Sequence, residues 1–213
     1  MYFNNHKNLE GKHSILSPST WRWINDDPEA LMGRLCGQYA TTIGTLLHHV
    51  AYKHIKYRIK LHKYDRSNVL LELLSNGVPF AIIDAMDFEA MFENLMTYVN
   101  DGIGFRMDPE IILYYSNNCF GTADTIAYSE RDCFLRIHDY KSGTTPAKME
   151  QLMVYEALFC LEYKIKPNNI SSELRLYQNN GVTVYVPSSE EILAISNTIV
   201  THDNFIKSIN EEV

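Results

Sequence analysis

The chain has 213 residues, 46% of them hydrophobic and 21% charged, with a formal net charge of −7. That composition excludes disorder and is enough to bury a sizeable core, and no apolar run approaches the ~20 residues that cross a bilayer. Net acidity argues against a nucleic-acid partner held by bulk charge alone. The four cysteines, Cys36, Cys119, Cys133 and Cys160, are widely spaced with no CxxC. This predicts a cytoplasmic protein with reduced thiols and neither a zinc ribbon nor a disulfide framework. The polar N-terminus, MYFNNHKNLEGKH, lacks the apolar core of a secretory signal.

In chain order, SPSTWRWI (17–24) predicts a helix start, with Ser17 or Ser19 as N-cap and Pro18 in the first turn. A longer helix is expected from about Pro28 into the fifties, weakened near Gly37 and Gly44. The run KHIKYRIKLHKYDR (53–66) then carries six Lys/Arg and one acid, Asp65. Taken alone it is a solvated basic face. As a DNA contact it would act through Lys53, Lys56, Arg58 and Lys60. Helical spacing recurs over 67–75 and 87–100.

The pattern then changes. IILYYS (111–116), FGTADTIAY (120–128) and CFLRIHDYK (133–141) are short, β-branched and aromatic-rich, with turn-like SNN and SERD between them. A helix capped at Thr145, with Pro146 in its first position, is expected to run to about Tyr163 and to be buried against the sheet. SELRLYQ (172–178) and VTVYVP (182–187) read as strands joined at Asn179-Asn180-Gly181, and a last helix starts at Ser188. The expected whole is one α/β domain over 1–213. It comprises a mainly helical part (1–105), a sheet core (106–187) and a C-terminal helix (188–213), with a central mixed sheet flanked by helices.

HDYKSG (138–143) raises the chemical question. Alternation along a strand places Leu135, Ile137, Asp139 and Lys141 on one face. A hairpin closed by residues 129–132 sets Tyr128 opposite Cys133 and Asp124 opposite Ile137, one diagonal step from Asp139. Two carboxylates and a lysine so placed are costly unless a cation or a reaction uses them. Hard oxygen ligands around Mg²⁺ or Mn²⁺ resolve the conflict. A lone DxK at a strand end is otherwise an ordinary ion pair.

The motif has company. LSPS at Leu16–Ser19, GTLLH at Gly44–His48, Glu110, GTAD at Gly121–Asp124, DYKSG at Asp139–Gly143 and QLMVY at Gln151–Tyr155 follow one another in order. This ordered set resembles the PD-(D/E)XK nuclease superfamily and, within it, the RecB-like exonuclease group, including the small stand-alone exonucleases of phages. The resemblance implies a restriction-endonuclease-like core and a metal-dependent deoxyribonuclease acting in recombination or replication. It implies that His48, Asp124 and Asp139 ligate the metal, that Tyr140 lends its backbone carbonyl and that Lys141 is the catalytic lysine. Gln151 and Tyr155, which share a helix face, would help hold DNA or the site, and Glu110 would support the metal shell. The cysteines of the iron–sulfur branch are missing, since Asp27 precedes Pro28 and no cysteine follows Cys160; no iron–sulfur cluster is expected. No P-loop is present. A structure-specific endonuclease, or a non-catalytic DNA-binding or protein-interaction module on the same fold, are the alternatives. A homo-oligomer or a protein partner is compatible with the sequence, which diagnoses neither.

Overall fold

The computed structural model describes residues 5–12, 14–143 and 145–211. Part of the N-terminal stretch read above as polar, and the last two residues expected in the C-terminal helix, lie outside that range. Residues Pro18–Asn25 form a 3-10 helix behind Ser17, with Pro18 at its first position. Helix α1 follows over Pro28–Lys56, its first turn closed by the Asp27 carboxylate, which accepts from the Ala30 N–H at 2.8 Å.

The expected weakening at Gly37 and Gly44 is absent: α1 is continuous. Each glycine costs helix stability on the order of 0.5–1 kcal/mol. Burial of Ile43, Leu47, Val50, Ala51 and Ile55 along one stripe outweighs it. Gly44 also faces the strand-end loop, where a β-carbon would meet Ser142 Oγ at 3.4 Å.

Helices α2 (Arg66–Ser75), α3 (Phe80–Ala85) and α4 (Phe88–Gly104) complete the N-terminal part. The sheet then forms from β1 (Asp108–Ser116), β2 (Cys119–Ser129) and β3 (Phe134–Tyr140), crosses through α5 (Glu150–Glu162), and closes with β4 (Ser171–Gln178) and β5 (Gly181–Tyr185) before α6 (Ser189–Glu211). The strand order is β1-β2-β3-β4-β5, with β3 and β4 parallel and the other pairs antiparallel. A parallel neighbour needs a crossover, and α5 supplies it. One core forms among α1–α4 with Tyr140 and Tyr177 of the sheet; a second forms between the opposite face and α5 with Ile192 of α6. The molecule is thus an α/β protein with a five-stranded mixed sheet between two helical layers. No helix among the described residues is long and apolar enough to cross a membrane.

Three expectations need correction. The β2–β3 loop is 130–133, not 129–132, because Cys133 turns left-handed (φ 47°) and its N–H closes the turn on the Glu130 carbonyl. Ser129 therefore pairs with Phe134, and Ile126 rather than Asp124 with Ile137. The shift of two residues leaves side-chain parity intact. The second correction concerns α5, which begins at Glu150 rather than Pro146. The Gln178 side chain accepts from the Ala147 N–H and donates to the carbonyls of Gly143 and Thr145, holding that stretch away from helical pairing. Finally, the β4–β5 turn is Asn179-Asn180, both left-handed (φ 51° and 56°), and Gly181 already belongs to β5.

One buried acid gives a test of the second core. Glu156 of α5 is 3% exposed and accepts from Ser172 Oγ at 2.8 Å. Burial pushes its carboxyl up to about 7. Between the unfolded value near 4.5 and that folded value the native state keeps a proton that the unfolded chain has released, so stability falls as pH rises. Glu156→Gln keeps an acceptor for Ser172 and removes this loss. Urea melts should show little difference from wild type near pH 4.5 and a gain on the order of 2 kcal/mol at pH 8.

Candidate metal centre and cleft

Continuing the observed β1–β2 and β2–β3 registers puts Glu110, Asp124 and Asp139 in one row across three neighbouring strands. Simple alternation does not explain where Asp124 points. Ala123 and Ile126 both belong to the α5-side core although they are three residues apart, so alternation breaks between them. The matching place on β1 is Glu110, in a left-handed conformation (φ 56°), and the Glu110–Asp124 pair is skipped by the pairing, which is interrupted once more by the register shift between Tyr114 and Ser116. A non-glycine residue in that region is strained. Here the strained position carries a carboxylate into a cluster.

The break turns Asp124 and Thr122 into an open cleft of about 700 Å³, shared with Glu110 and with Thr45, His48, His49 and Tyr52 of α1. One ligand atom each from His48, Glu110 and Asp124 lie within 4.8 Å of one another. His48 Nδ1 is 3.5 Å from Asp124 Oδ2, and the Tyr140 N–H donates to that same oxygen at 3.1 Å. His48 also packs edge-on against the Tyr140 ring at 5.7 Å. The Tyr140 side chain points away from the cleft into the α1–α4 core, its hydroxyl donating to the Met91 carbonyl.

Asp139 lies beside this group and is 2% exposed. Lys141 Nζ is 3.0 Å from its Oδ1 and 2.9 Å from its Oδ2, but only the first contact has hydrogen-bond geometry. Oδ2 is thus a buried acceptor with no hydrogen-bond partner among the described residues, an arrangement that costs free energy unless something else engages it. Burial pushes both Asp124 and Asp139 up to about 6, against the Tyr140 N–H and Lys141; for Asp139 the neighbouring Asp124 adds to the rise. Burial also holds the His48 imidazole below its ordinary pKa, despite the attraction of Asp139. At neutral pH His48 is therefore neutral, which is the ligating form. Carboxylate oxygens plus one neutral imidazole suit Mg²⁺ or Mn²⁺, and a cation there would offset the like-charge crowding that raises the two carboxyls.

The remaining expected site residues fall in two groups. Tyr155 of α5 packs on Gly121, where a β-carbon would meet its ring at 3.1 Å, and exposed Gln151 lies one turn before it on the same helix. Its hydroxyl responds to Asp124, Asp139 and Lys141, so it borders the site. The basic run behaves otherwise. Lys53, Lys56 and Lys60 are exposed, and the Lys56 ammonium hydrogen-bonds Tyr52 at the cleft wall. Arg58 instead donates to the Met107 carbonyl at 2.6 Å and lies 3.4 Å from Asp108, tying the end of α1 to the start of β1.

Sequence reasoning missed Thr45, His49, Tyr52 and Thr122 as cleft residues. Thr45 and Tyr52 lie three and four residues from His48, His49 lies four and three from that same pair, and Thr122 is one alternation before Asp124; those spacings were the available signal. No family model matches the chain, and no curated protein or solved structure matches it either.

Proposed function

We propose that the protein is a divalent-metal-dependent DNA nuclease with a PD-(D/E)XK-like core, acting as an exonuclease. The observation that carries this reading is the gathering of His48, Glu110 and Asp124 ligand atoms within 4.8 Å of one another, beside the buried Asp139 carboxylate and its ion pair with Lys141. A structural ion pair would need neither the histidine nor the strained Glu110 backbone.

His48, Glu110, Asp124 and Asp139 would hold the cation. When bound, it supplies Lewis-acid neutralisation of the scissile phosphate and acidifies a water molecule. The chain's own groups do the rest. Lys141, 30% exposed at its side chain and anchored by Asp139, presents N–H donors to the attacking water and to charge developing on the phosphate. The Tyr140 N–H fixes Asp124, and Tyr155 with Gln151 forms a polar border on the α5 side.

The test is digestion of end-labelled linear DNA beside covalently closed circular DNA, with Mg²⁺, with Mn²⁺ and with chelator. Metal-dependent release of nucleotides from the linear form only, lost in Lys141→Ala, is the expected result. Cutting of the circle replaces the exonuclease with an endonuclease. Cleavage undiminished in Lys141→Ala removes the site assignment.

A further inference from the structure

The β1–β2 hairpin overshoots the sheet. Pairing of β2 with β3 ends at Thr125–His138, whereas pairing with β1 continues to Ser116–Cys119. One face of this extension is covered: Leu113 and Ala123 lie in the α5-side core, Tyr155 packs on Gly121, and Ser116 bonds Asp203 of α6. The other face is bare. It carries Ile112 (62% exposed) beside Thr122, and then the cross-strand pair Tyr114 (46%) and Phe120 (62%), whose rings lie 6.4 Å apart and tilted by 30°. The same face leads directly into the cleft, since Thr122 lines it together with Glu110 and Asp124.

We infer that this bare hairpin face is a track for a single nucleic-acid strand, with Tyr114 and Phe120 stacking an unpaired base two rows from the carboxylates. The inference rests on the nuclease reading and gives it a substrate class. Continuity with the cleft is the first reason: a chain whose phosphate sits at Glu110 and Asp124 must leave along a surface, and this one begins there. Spacing is the second. Successive same-face rows along a strand are about 6.8 Å apart, so the aromatic pair stands about 14 Å, two rows, from the carboxylates. One row is comparable to a single phosphate-to-phosphate step of an extended strand, so the aromatic pair stands about two nucleotides from the carboxylates. Ring chemistry is the third. Exposed aromatic rings gain most from a planar base face, and a duplex keeps its base faces inside its own stack. On the opposite wall, α1 offers His49 at the cleft and Lys56 one turn beyond Tyr52 for the backbone.

The experiment compares wild type with Tyr114→Ala/Phe120→Ala and with Phe120→Trp, which keeps a stacking ring. Binding of labelled oligothymidylate and of a blunt duplex is read by fluorescence anisotropy in Ca²⁺. Hydrolysis of thymidine 5′-(p-nitrophenyl) phosphate with Mn²⁺ and sedimentation of each protein accompany it. The expected result is at least about tenfold weaker oligothymidylate binding in the double alanine variant, near-wild-type binding in Phe120→Trp, and unchanged ester hydrolysis and duplex binding. Equal oligothymidylate affinity in wild type and the alanine variant overturns the track, as does a parallel loss on the duplex. A wild-type dimer that dissociates in the variant overturns it too, by making the face a contact between copies. If wild type hydrolyses neither the ester nor DNA while the variant still loses oligothymidylate, the nuclease reading fails and the track stands.

Discussion

Asp139→Asn is expected to lower DNA cleavage by at least about a thousandfold while leaving the fold intact. The substitution keeps the shape of the side chain but removes the charge that anchors Lys141 and the oxygen that lacks a hydrogen bond. Asp124 and Asp139 crowd one another in a dry site, so removing one charge relieves the metal-free protein. Its melting temperature at pH 8 without metal should equal or exceed that of wild type. Addition of Mn²⁺ should raise the wild-type melting temperature and leave that of the variant unchanged, because ligand stabilisation follows affinity for the native state. A variant that melts well below wild type would place Asp139 in the stability of the fold instead. A variant with wild-type cleavage would remove it from the chemistry.

The second large effect lies behind the site. Tyr98 of α4 is 1% exposed and stacks on Tyr140 at 5.7 Å and edge-on to Tyr177 at 5.3 Å, joining α4 to β3 and β4. Tyr98→Ala removes the ring from the middle of three aromatics and should cost about 3–5 kcal/mol in a denaturant melt. Because the Tyr140 N–H positions Asp124, loosening Tyr140 should also weaken Mn²⁺ binding. Tyr98→Phe keeps the ring and should recover most of the stability. A loss under about 1 kcal/mol for the alanine variant would mean that the packing of α4 on the sheet does not depend on this stack.

Much of the fold is legible from local pattern. The α1 stripe, the α4 periodicity and the strand alternation each follow from side-chain spacing that burial then uses. What stayed hidden depends on partners far along the chain. The start of α5 is set by Gln178, which holds Ala147 and Thr145 from 31 and 33 residues downstream of them. The β2–β3 register turns on a left-handed Cys133, a conformation that no β-propensity announces. The register difference is even and keeps side-chain parity between β2 and β3, but the direction of Asp124 depends on the alternation break between Ala123 and Ile126, which that register does not contain. Candidate residues Asp139 and Lys141 stand out as an acid and a base in an apolar strand, whereas Glu110 does not. Its place in the row comes from a strained backbone and a skipped strand pair, which are properties of the folded sheet. The basic run shows the converse: equal charge in sequence, but Arg58 serves the α1–β1 junction while Lys53, Lys56 and Lys60 remain free of such a role in the fold.

His48, Glu110, Asp124 and Asp139 are proposed to hold one divalent cation between them. Titration calorimetry with Mn²⁺ at pH 7.5 tests this most directly, using wild type, Glu110→Gln and Asp124→Asn. Saturable binding in wild type, weakened at least about tenfold in each variant, is the predicted result. Wild-type protein that binds no Mn²⁺, or variants that bind it as tightly as wild type, would contradict the site and with it the proposed activity.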